Sequence, residues 1–305
     1  MKVLLTGAAG YVGWSAANKL ILSDSVDEVV VYDNFSRRNY GLLLTRKTKD
    51  YGKLTVRVDD ILNSRGLRAA AQGADCACHL AALAPSPFAD ENPHAFDQVN
   101  HWGTAEVCYA AEDVGVPRVV YVSSGAVYGF GSNEFETSSE PMPTTSYGAS
   151  KLAGEKHVQR LSSAHHTVIL RSATVYGVNP VARFDTFLNK FALDVVLGRP
   201  IQVHGSGEQH RPVVHVEALA EIICAAVEGN IDTGVYNVVA ENISMNHSIE
   251  SMRKFAPSLE AIYLSQQERL RDLMMVPDQE LNSLQSRDRT ADDCLGELLA
   301  DISLT

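Results

Sequence analysis

Short apolar runs alternate with amphipathic stretches over the first 170 residues of the chain. The runs are rich in Val, Ile and Leu and show no polar alternation, which is typical of strands buried on both faces of a parallel sheet. The stretches between them carry apolar residues at helical spacing. The predicted strands lie at 2–6, 28–32, 54–58, 75–80, 118–122 and 167–170, and the predicted helices near 11–22, 63–72, 93–114 and 147–162.

Six strands that alternate with helices predict an α/β protein with a doubly wound parallel sheet of the Rossmann type. Ligands of such a sheet bind at the carboxyl ends of its strands. A glycine-rich turn, Asp33, the segment 79–82 and Ser124 all follow predicted strand ends. We therefore expect the functional site along this edge of the sheet.

The pattern loosens after about residue 175, where glycines and prolines break the chain into short elements. We expect a smaller α/β substrate-binding cap, interleaved with the main sheet. The predicted division is 1–173 for a nucleotide-binding domain and 174–305 for mainly the cap. Because no lysine follows Lys254 and acidic residues outnumber arginines, we expect 275–305 to be an exposed, acidic, helical tail that is poorly ordered.

The composition is typical of a soluble globular protein, with 45% hydrophobic and 21% charged residues among 305. No apolar run approaches the roughly 18 to 20 residues that cross a bilayer. The first apolar run continues directly into glycines, as a buried strand does and a signal peptide does not. A net charge of −11 disfavours nucleic acid and anionic membranes as partners.

The five cysteines show neither disulfide nor zinc spacing. Cys76 and Cys78 stand two apart in a predicted strand, so their side chains share one face. We interpret them as buried core thiols rather than a metal pair, and we predict no metal. Free thiols favour a reducing, cytoplasmic location.

The motif Gly7-Ala-Ala-Gly10-Tyr11-Val12-Gly13 follows a predicted strand and opens a predicted helix. Glycines at these positions allow the backbone to turn sharply and to approach a pyrophosphate at the helix N-terminus, which predicts a dinucleotide cofactor. Asp33 ends the second strand about twenty residues later, where a carboxylate accepts hydrogen bonds from the adenosine ribose and repels a 2′-phosphate. Asp33 therefore favours NAD over NADP. The nearby Arg37 and Arg38 leave NADP as an alternative cofactor.

Two further segments are candidates for the adenosine end of the cofactor. Asn34 directly follows Asp33, and Asp60 with Ile61 follows the third strand, where they would meet the edge and face of adenine. Asp60 could equally cap the next helix.

Ser124, Tyr147 and Lys151 form the candidate catalytic set. Tyr147 and Lys151 are four residues apart and share one helix face, while Ser124 ends the fifth strand. A phenol is a poor base at neutral pH, but a nearby ammonium favours the phenolate. Tyr147 could then exchange a proton with an alcohol that Ser124 holds, and Lys151 would also bind the nicotinamide ribose. Ser123, counted among the cofactor contacts, is the alternative for the serine role.

These residues resemble the extended short-chain dehydrogenase/reductase family, specifically its NAD-dependent branch of nucleotide-sugar epimerases and dehydratases. The resemblance covers roughly residues 1–255. The matching positions are 7–13, Asp33 with Asn34, 79–82, Asn92 with Pro93, Asn100, Gly103 with Thr104, 127–129, Tyr147, Lys151, Arg171, 175–177 and 205–211.

The resemblance implies roles for several more residues. Leu80, Ala81 and Ala82 are expected beside the nicotinamide, Asn100 at the cofactor loop, and Ala173 near the carboxamide. Thr174 stands where an asparagine usually touches the sugar diphosphate, and Arg211 matches an arginine that grips the pyrophosphate. His79 matches a structural position at a strand end. Helices 93–114 and 147–162 are commonly paired across a homodimer, here with Ala105, Cys108, Tyr109, Leu152 and His157 as the candidate face.

The residues after Ser124 indicate the reaction. Dehydratases of the branch carry an acid pair there and decarboxylases a glutamate, whereas Gly125 and Ala126 can exchange no proton. The resemblance thus implies epimerisation of a nucleotide sugar through a transient ketone, at C4, with C2 also open. The alternatives are a reductase, dehydrogenase or dehydratase acting on a sugar or natural-product alcohol or ketone, and a non-catalytic NAD-binding protein.

Other departures concern the substrate side. Pro87 replaces a basic residue that often accompanies uronic acids, which disfavours sugar acids, and Pro212 replaces a customary aspartate. The usual Arg-Pro-Gly-Asp element near the C-terminus is not found in the sequence. Its possible replacements are Arg269, Arg271, Arg287 and Arg289.

Overall fold

The computed structural model describes residues 1–44, 52–84, 92–131, 133–265, 272–286 and 290–302. The strands there are β1 (Lys2–Thr6), β2 (Glu28–Asp33), β3 (Leu54–Val58), β4 (Cys76–His79), β5 (Arg118–Ser124), β6 (Glu134–Phe135), β7 (His166–Ser172), β8 (Thr174–Tyr176), β9 (Ile201–His204), β10 (His210–His215), β11 (Gly234–Val238), β12 (Glu241–Ser244), β13 (Ala261–Leu264) and β14 (Met274–Met275). The α-helices are α1 (Tyr11–Leu22), α2 (Gly41–Leu44), α3 (Ser64–Ala71), α4 (Pro93–Phe96), α5 (Gly103–Val114), α6 (Ser146–Leu161), α7 (Phe187–Val196), α8 (Val216–Glu228), α9 (Met245–Arg253) and α10 (Ala291–Asp301). A π-helical segment (Asp97–Trp102) joins α4 to α5, and 3-10 helices lie at Gly125–Tyr128 and Gln279–Leu284.

The main sheet is parallel and has the order β11-β7-β5-β4-β1-β2-β3. The chain order reverses between β1 and β4, so the predicted doubly wound α/β sheet is confirmed. The sequence indicated six strands, whereas the sheet has seven. The additional strand, β11, was missed because it begins with Gly234 and carries the polar Asn237 between apolar neighbours.

Both faces of this sheet are buried except at the edge strand β3, where Thr55, Arg57 and Val58 are exposed. Successive residues of a strand point to opposite faces. In β1, Val3 and Leu5 join one hydrophobic cluster with residues of α1 and α8, while Leu4 joins the other with residues of α3 and α5. Cys76 and Cys78 lie in the first cluster as free, buried thiols, as expected.

The second half of the chain contributes to both the main sheet and a smaller unit. Strand β11 extends the main sheet, and α8 packs on α1. A three-stranded sheet, β12-β10-β8, and the pair β13-β9 surround a third hydrophobic cluster with α7, α9 and α10. This interleaving places residues of the second half beside the carboxyl edge of the main sheet.

Helix α10 shows that the acidic tail is buried along one side. Its apolar residues Ala291, Cys294, Leu295 and Leu298 recur at helical spacing and pack into the third cluster. The acidic composition predicts exposure for only one side of this helix, since the charged residues occupy the face opposite its apolar residues.

Candidate functional site

The glycine-rich turn leaves no room for side chains. Gly7 has φ +75°, and a β-carbon there would lie 2.5 Å from the Ala81 nitrogen. A β-carbon on Gly13 would lie 2.2 Å from the Gly7 carbonyl oxygen. The backbone therefore turns tightly between β1 and α1, and the N-terminus of α1 is open to a negatively charged group.

A cavity of about 130 Å³ lies against this turn. It gathers nine of the predicted cofactor residues at the carboxyl edge of the sheet, as the topology requires. They are Gly7, Gly10, Asp33, Asn34, Asp60, Ile61, Leu80, Ala81 and Ala82.

The carboxylate of Asp33 is held by backbone N–H groups from both sides. Ala9 donates to Oδ2 at 2.9 Å, and Phe35 donates to Oδ1 at 2.8 Å. Phe35 has the unusual φ of +52°, which turns the chain directly after Asp33. The orientation of this acid is thus fixed by the backbone around it.

Asp60 does not cap the next helix. Its Oδ2 accepts a hydrogen bond from Asn34 at 2.9 Å, and its Oδ1 accepts one from the Leu62 backbone at 3.0 Å. Asn63 caps α3 instead, through the Gly66 N–H. Asp60 thereby ties the segment after β3 to the segment after β2 at the cavity wall.

Arg37 also lines this cavity, and it donates a hydrogen bond to the Ala84 carbonyl at 3.3 Å. It lines a neighbouring groove of about 640 Å³ as well, together with Arg183, Lys190 and Arg199. Arg183 forms an ion pair with Asp185, with Nη2 and Oδ2 2.7 Å apart.

Other predicted cofactor residues support the site without lining the cavity. The Tyr11 hydroxyl donates to the Gly177 carbonyl, and Val12 packs against the first cluster. Asn100 accepts from the Leu83 N–H at 2.8 Å and donates to its carbonyl at 2.9 Å, which fixes the loop after β4. Ala173 is buried between β7 and β8.

Ser124 and Tyr147 face each other across the end of β5 and the start of α6, and Ser124 lowers the pKa of Tyr147. Thr145 caps α6 by accepting from the Gly148 N–H at 3.0 Å, so the first turn that carries Tyr147 is fixed. Burial raises the pKa of Tyr147, while the hydrogen bond with Ser124 and the charge of Arg183 lower it. The lowering by Lys151 stays a prediction.

Lys151 lies one turn further along α6 and is only 2% exposed. Its Nζ lies 4.2 Å from the centre of the Tyr121 ring, which is a cation–π contact. Burial lowers the pKa of Lys151 to about 7, against an opposing effect of the Glu155 carboxylate.

The two neighbouring serines, Ser123 and Ser124, contact different residues. Ser123 donates a hydrogen bond to Glu155 Oε1 at 2.5 Å in the interior, on the opposite face of β5 from Ser124. Ser124 faces Tyr147, and its hydroxyl accepts from the Ala126 N–H at 3.2 Å. Ser124 is therefore the serine placed for the catalytic role.

His79 has a fully engaged ring. Its Nδ1 is 2.7 Å from the Thr6 hydroxyl, and its Nε2 is 3.0 Å from the Thr104 hydroxyl. Burial, together with the charge of Lys151, lowers the pKa of His79 to about 3. A neutral, hydrogen-bonded imidazole supports the structural interpretation.

The two positions after Ser124 differ in their surroundings. A β-carbon on Gly125 would lie 2.4 Å from Met275 Sδ, whereas Ala126 is partly exposed. Sequence reasoning missed Met275, because nothing in the spacing connects it with Ser124.

The predicted substrate residues Thr174 and Arg211 lie on adjacent strands, β8 and β10, and both are partly buried. Arg211 donates to the carbonyl of His210 at 2.7 Å. Neither residue lines the two cavities. Pro87, Arg269, Arg271, Arg287 and Arg289 lie outside the described residues.

Within the described ranges, the side chains form no cluster of three or more potential metal ligands. In the same ranges, no helix is long and apolar enough to span a membrane.

The doubly wound sheet, the glycine turn at its carboxyl edge and the Ser124–Tyr147 pair are features of a dinucleotide-dependent α/β enzyme. The model of the NAD dependent epimerase/dehydratase family matches residues 3–239. The chain belongs to this family. It is therefore an enzyme with NAD as its cofactor, as the sequence predicted.

Relatives include both reaction types named in the family. A probable UDP-glucuronate 4-epimerase of Rhizobium meliloti is 28% identical, with 73% of this chain and 67% of the relative covered. The dTDP-D-glucose 4,6-dehydratase of Mus musculus is 29% identical, with 78% and 67% covered. The structure of the UDP-glucuronic acid 4-epimerase of Bacillus cereus superimposes with a TM-score of 0.86 at 24% identity, with 99% of each chain covered, which supports the fold.

Proposed function

We propose that this protein epimerises a nucleotide sugar at C4 through a transient ketone, with Tyr147 as the acid/base. The observation that carries the proposal is the surroundings of Ser124. Its side chain faces Tyr147, and the side chains of the next two residues, Gly125 and Ala126, have no proton to exchange. A dehydratase needs acid and base groups at that place, whereas an epimerase does not.

In this proposal each residue has a defined task. Ser124 holds the sugar hydroxyl beside Tyr147, and Tyr147 takes its proton and later returns it. Lys151 stabilises the phenolate by its charge. When bound, NAD would supply the hydride chemistry, in which hydride leaves C4 and returns to the opposite face of the transient ketone, so that this carbon is inverted. Because one tyrosine serves as base and as acid, the net reaction consumes no proton.

The cofactor residues gathered around the cavity fit NAD. Gly7, Gly10 and the N-terminus of α1 would hold the pyrophosphate, and Asp33 the adenosine ribose. Asp60 and Ile61 would meet adenine.

The substrate side belongs mainly to the second half of the chain. We propose that residues 1–173 form the NAD-binding domain and that residues 174–305 form mainly the substrate cap, which is interleaved with the main sheet. Thr174 and Arg211, on adjacent strands of the three-stranded sheet, are proposed to bind the sugar diphosphate.

The test is proton NMR of the protein with NAD⁺ and UDP-glucose, UDP-N-acetylglucosamine or UDP-glucuronic acid. A new 4-epimer without net formation of NADH supports the proposal and identifies the sugar. A product that has lost water or carbon dioxide contradicts it. Tyr147→Phe is the matched control for contaminating activity.

The protein is also proposed to form a homodimer through α5 and α6. Trp102 and Tyr109 are 47% and 43% exposed, and the rings of His101 and His157 lie between them. The predicted face changes in detail, because Ala105 and Cys108 are buried within the subunit and cannot touch a partner. Analytical ultracentrifugation should show a dimer that Tyr109→Glu dissociates and that Ile262→Glu, on exposed β13, leaves intact.

The proposed compartment is the cytoplasm. The cysteines of the described residues are all free, and four of the five are buried. Reduced thiols of this kind fit a reducing compartment.

A further inference from the structure

A buried ion pair lies directly behind the candidate catalytic residues. Glu155 and Arg171 are 0% and 4% exposed, and Arg171 Nη2 lies 2.8 Å from Glu155 Oε2. Arg171 Nε donates to Oε1 at 3.1 Å, and the Ser123 hydroxyl donates to the same oxygen. The second arm of Arg171 donates to the Tyr128 hydroxyl at 2.9 Å. Both charges are therefore fully hydrogen-bonded.

Stability alone does not account for such a pair. Taking two charges out of water costs about as much as their attraction returns, so apolar residues of equal volume often stabilise a fold as well or better. The position of the pair therefore points to a role in the site.

The pair joins β7 to the two elements that carry the candidate catalytic residues, β5 and α6. Glu155 follows Lys151 by one turn of α6 and Tyr147 by two, so the three share one helix face. Ser123 immediately precedes Ser124 on β5, and Arg171 lies on β7. The end of β5 is thus fixed against α6 by the carboxylate of Glu155.

Glu155 also contributes to the charges around Lys151. Tyr121 offers a ring face, and burial raises its pKa, so it is neutral. His79 is neutral because burial lowers its pKa to about 3. Glu155 supplies the carboxylate that favours the charged form of Lys151. The titratable or charged groups that surround Lys151, directly or through Glu155, are His79, Tyr121, Tyr147, Glu155 and Arg171.

We propose that Glu155 is a positioning residue, whose carboxylate fixes the end of β5 against α6 and provides the negative charge that accompanies the Lys151 ammonium in the interior. Arg171 holds this carboxylate in place. The proposal rests on the proposed role of Lys151 as the cation beside Tyr147.

The experiment follows Lys151 directly, by NMR of protein labelled with ¹³C-lysine, with Lys151 assigned by its loss in Lys151→Arg. We expect Glu155→Gln to lower the midpoint of the Lys151 titration by about one pH unit, because a nearby opposite charge favours the ammonium. The alkaline limb of the kcat profile should move to lower pH in parallel. An unchanged midpoint in folded Glu155→Gln overturns the proposal.

A matched control lies on the surface, where Arg160 of α6 pairs with Glu112 of α5. Arg160 donates two hydrogen bonds to the Glu112 carboxylate, from Nη1 to Oε1 at 2.7 Å and from Nη2 to Oε2 at 2.6 Å. Both side chains of this ion pair are partly exposed. Glu112→Gln should leave the Lys151 midpoint unchanged. A shift equal to that of Glu155→Gln would mean that the effect is nonspecific, which also overturns the proposal.

The Glu155→Gln protein could unfold because it leaves the buried Arg171 without its carboxylate partner. Two further variants keep the proposal testable in that case. Glu155→Gln combined with Arg171→Gln removes both charges and keeps hydrogen-bonding groups, and its Lys151 midpoint should again be below that of the parent. Glu155→Asp, which keeps the charge, should titrate near the parent. A double variant at the parent midpoint, or a Glu155→Asp midpoint as low as that of Glu155→Gln, contradicts the proposal. The titration needs no substrate, so a failed epimerase assay would leave its outcome readable.

Discussion

The thioether sulfur of Met275 occupies the space that a side chain at Gly125 would take. A β-carbon there would lie 2.4 Å from Met275 Sδ, and Met275 itself is completely buried. Its backbone is clamped by Asn242, which accepts from the Met275 N–H at 2.9 Å and donates to its carbonyl at 3.0 Å. The place beside Ser124 that a dehydratase fills with an acid is thereby closed by a residue 150 positions further along the chain.

This relationship predicts a coupled effect on stability. Gly125→Ala should lower the free energy of unfolding by about 1–3 kcal/mol, as overpacking does. In a Met275→Ala background the same change should cost clearly less, because the cavity accepts the methyl group. Denaturant unfolding of the double-mutant cycle measures the coupling, and strict additivity would argue against the contact.

Tyr147→Phe should reduce turnover by about 10²- to 10⁴-fold, because the acid/base hydroxyl is lost while the ring stays in place. NAD binding, followed by calorimetry, should change little. Turnover near that of the parent would remove Tyr147 from the chemistry.

Asp33→Ala should weaken NAD by about 10- to 100-fold, the loss expected for hydrogen bonds to a charged group. It should also narrow the preference for NAD over NADP, since the repulsion of a 2′-phosphate disappears. The measurement is the ratio of the two dissociation constants. A constant ratio would show that another residue, with Arg37 as the first candidate, discriminates between them.

Arg211→Ala should raise the KM for the nucleotide sugar by about 10-fold or more, because a charged contact to the diphosphate is lost. The affinity for NAD should remain close to that of the parent. Equal losses for both ligands would place Arg211 at the cofactor instead.

His79 should make the fold sensitive to acid. Its pKa is about 3 in the folded protein, whereas an unfolded histidine titrates near 6.5. The unfolded chain therefore binds an extra proton below about pH 6.5, so stability is fully present above that pH and falls as the pH drops toward 3. Thermal melts of His79→Asn should show a flatter slope between about pH 6 and pH 4 than the parent. The matched control is His94→Gln, on the exposed α4, which should keep the parent slope.

The strands and helices of the first half were predictable because both rest on local patterns. Five predicted strands became β1 to β5 with ends shifted by at most two residues, and the sixth became β7. Glycine spacing placed the turn after β1, since only residues without side chains fit there. The cap was harder to predict, because β8, β9, β12 and β13 have only three or four residues each and pair with strands that are distant in sequence.

By itself the sequence determined the doubly wound sheet, the edge at which the site lies, the preference for NAD and the identity of Ser124, Tyr147 and Lys151 as candidates. Each of these follows from spacing along one strand, turn or helix. Only the tertiary structure decided that Ser124 rather than Ser123 faces Tyr147, that Met275 closes the space at Gly125, and that Glu155 and Arg171 lie behind Lys151. These relationships join residues on different elements. Their physical basis is the packing of those elements in space, which sequence periodicity does not record.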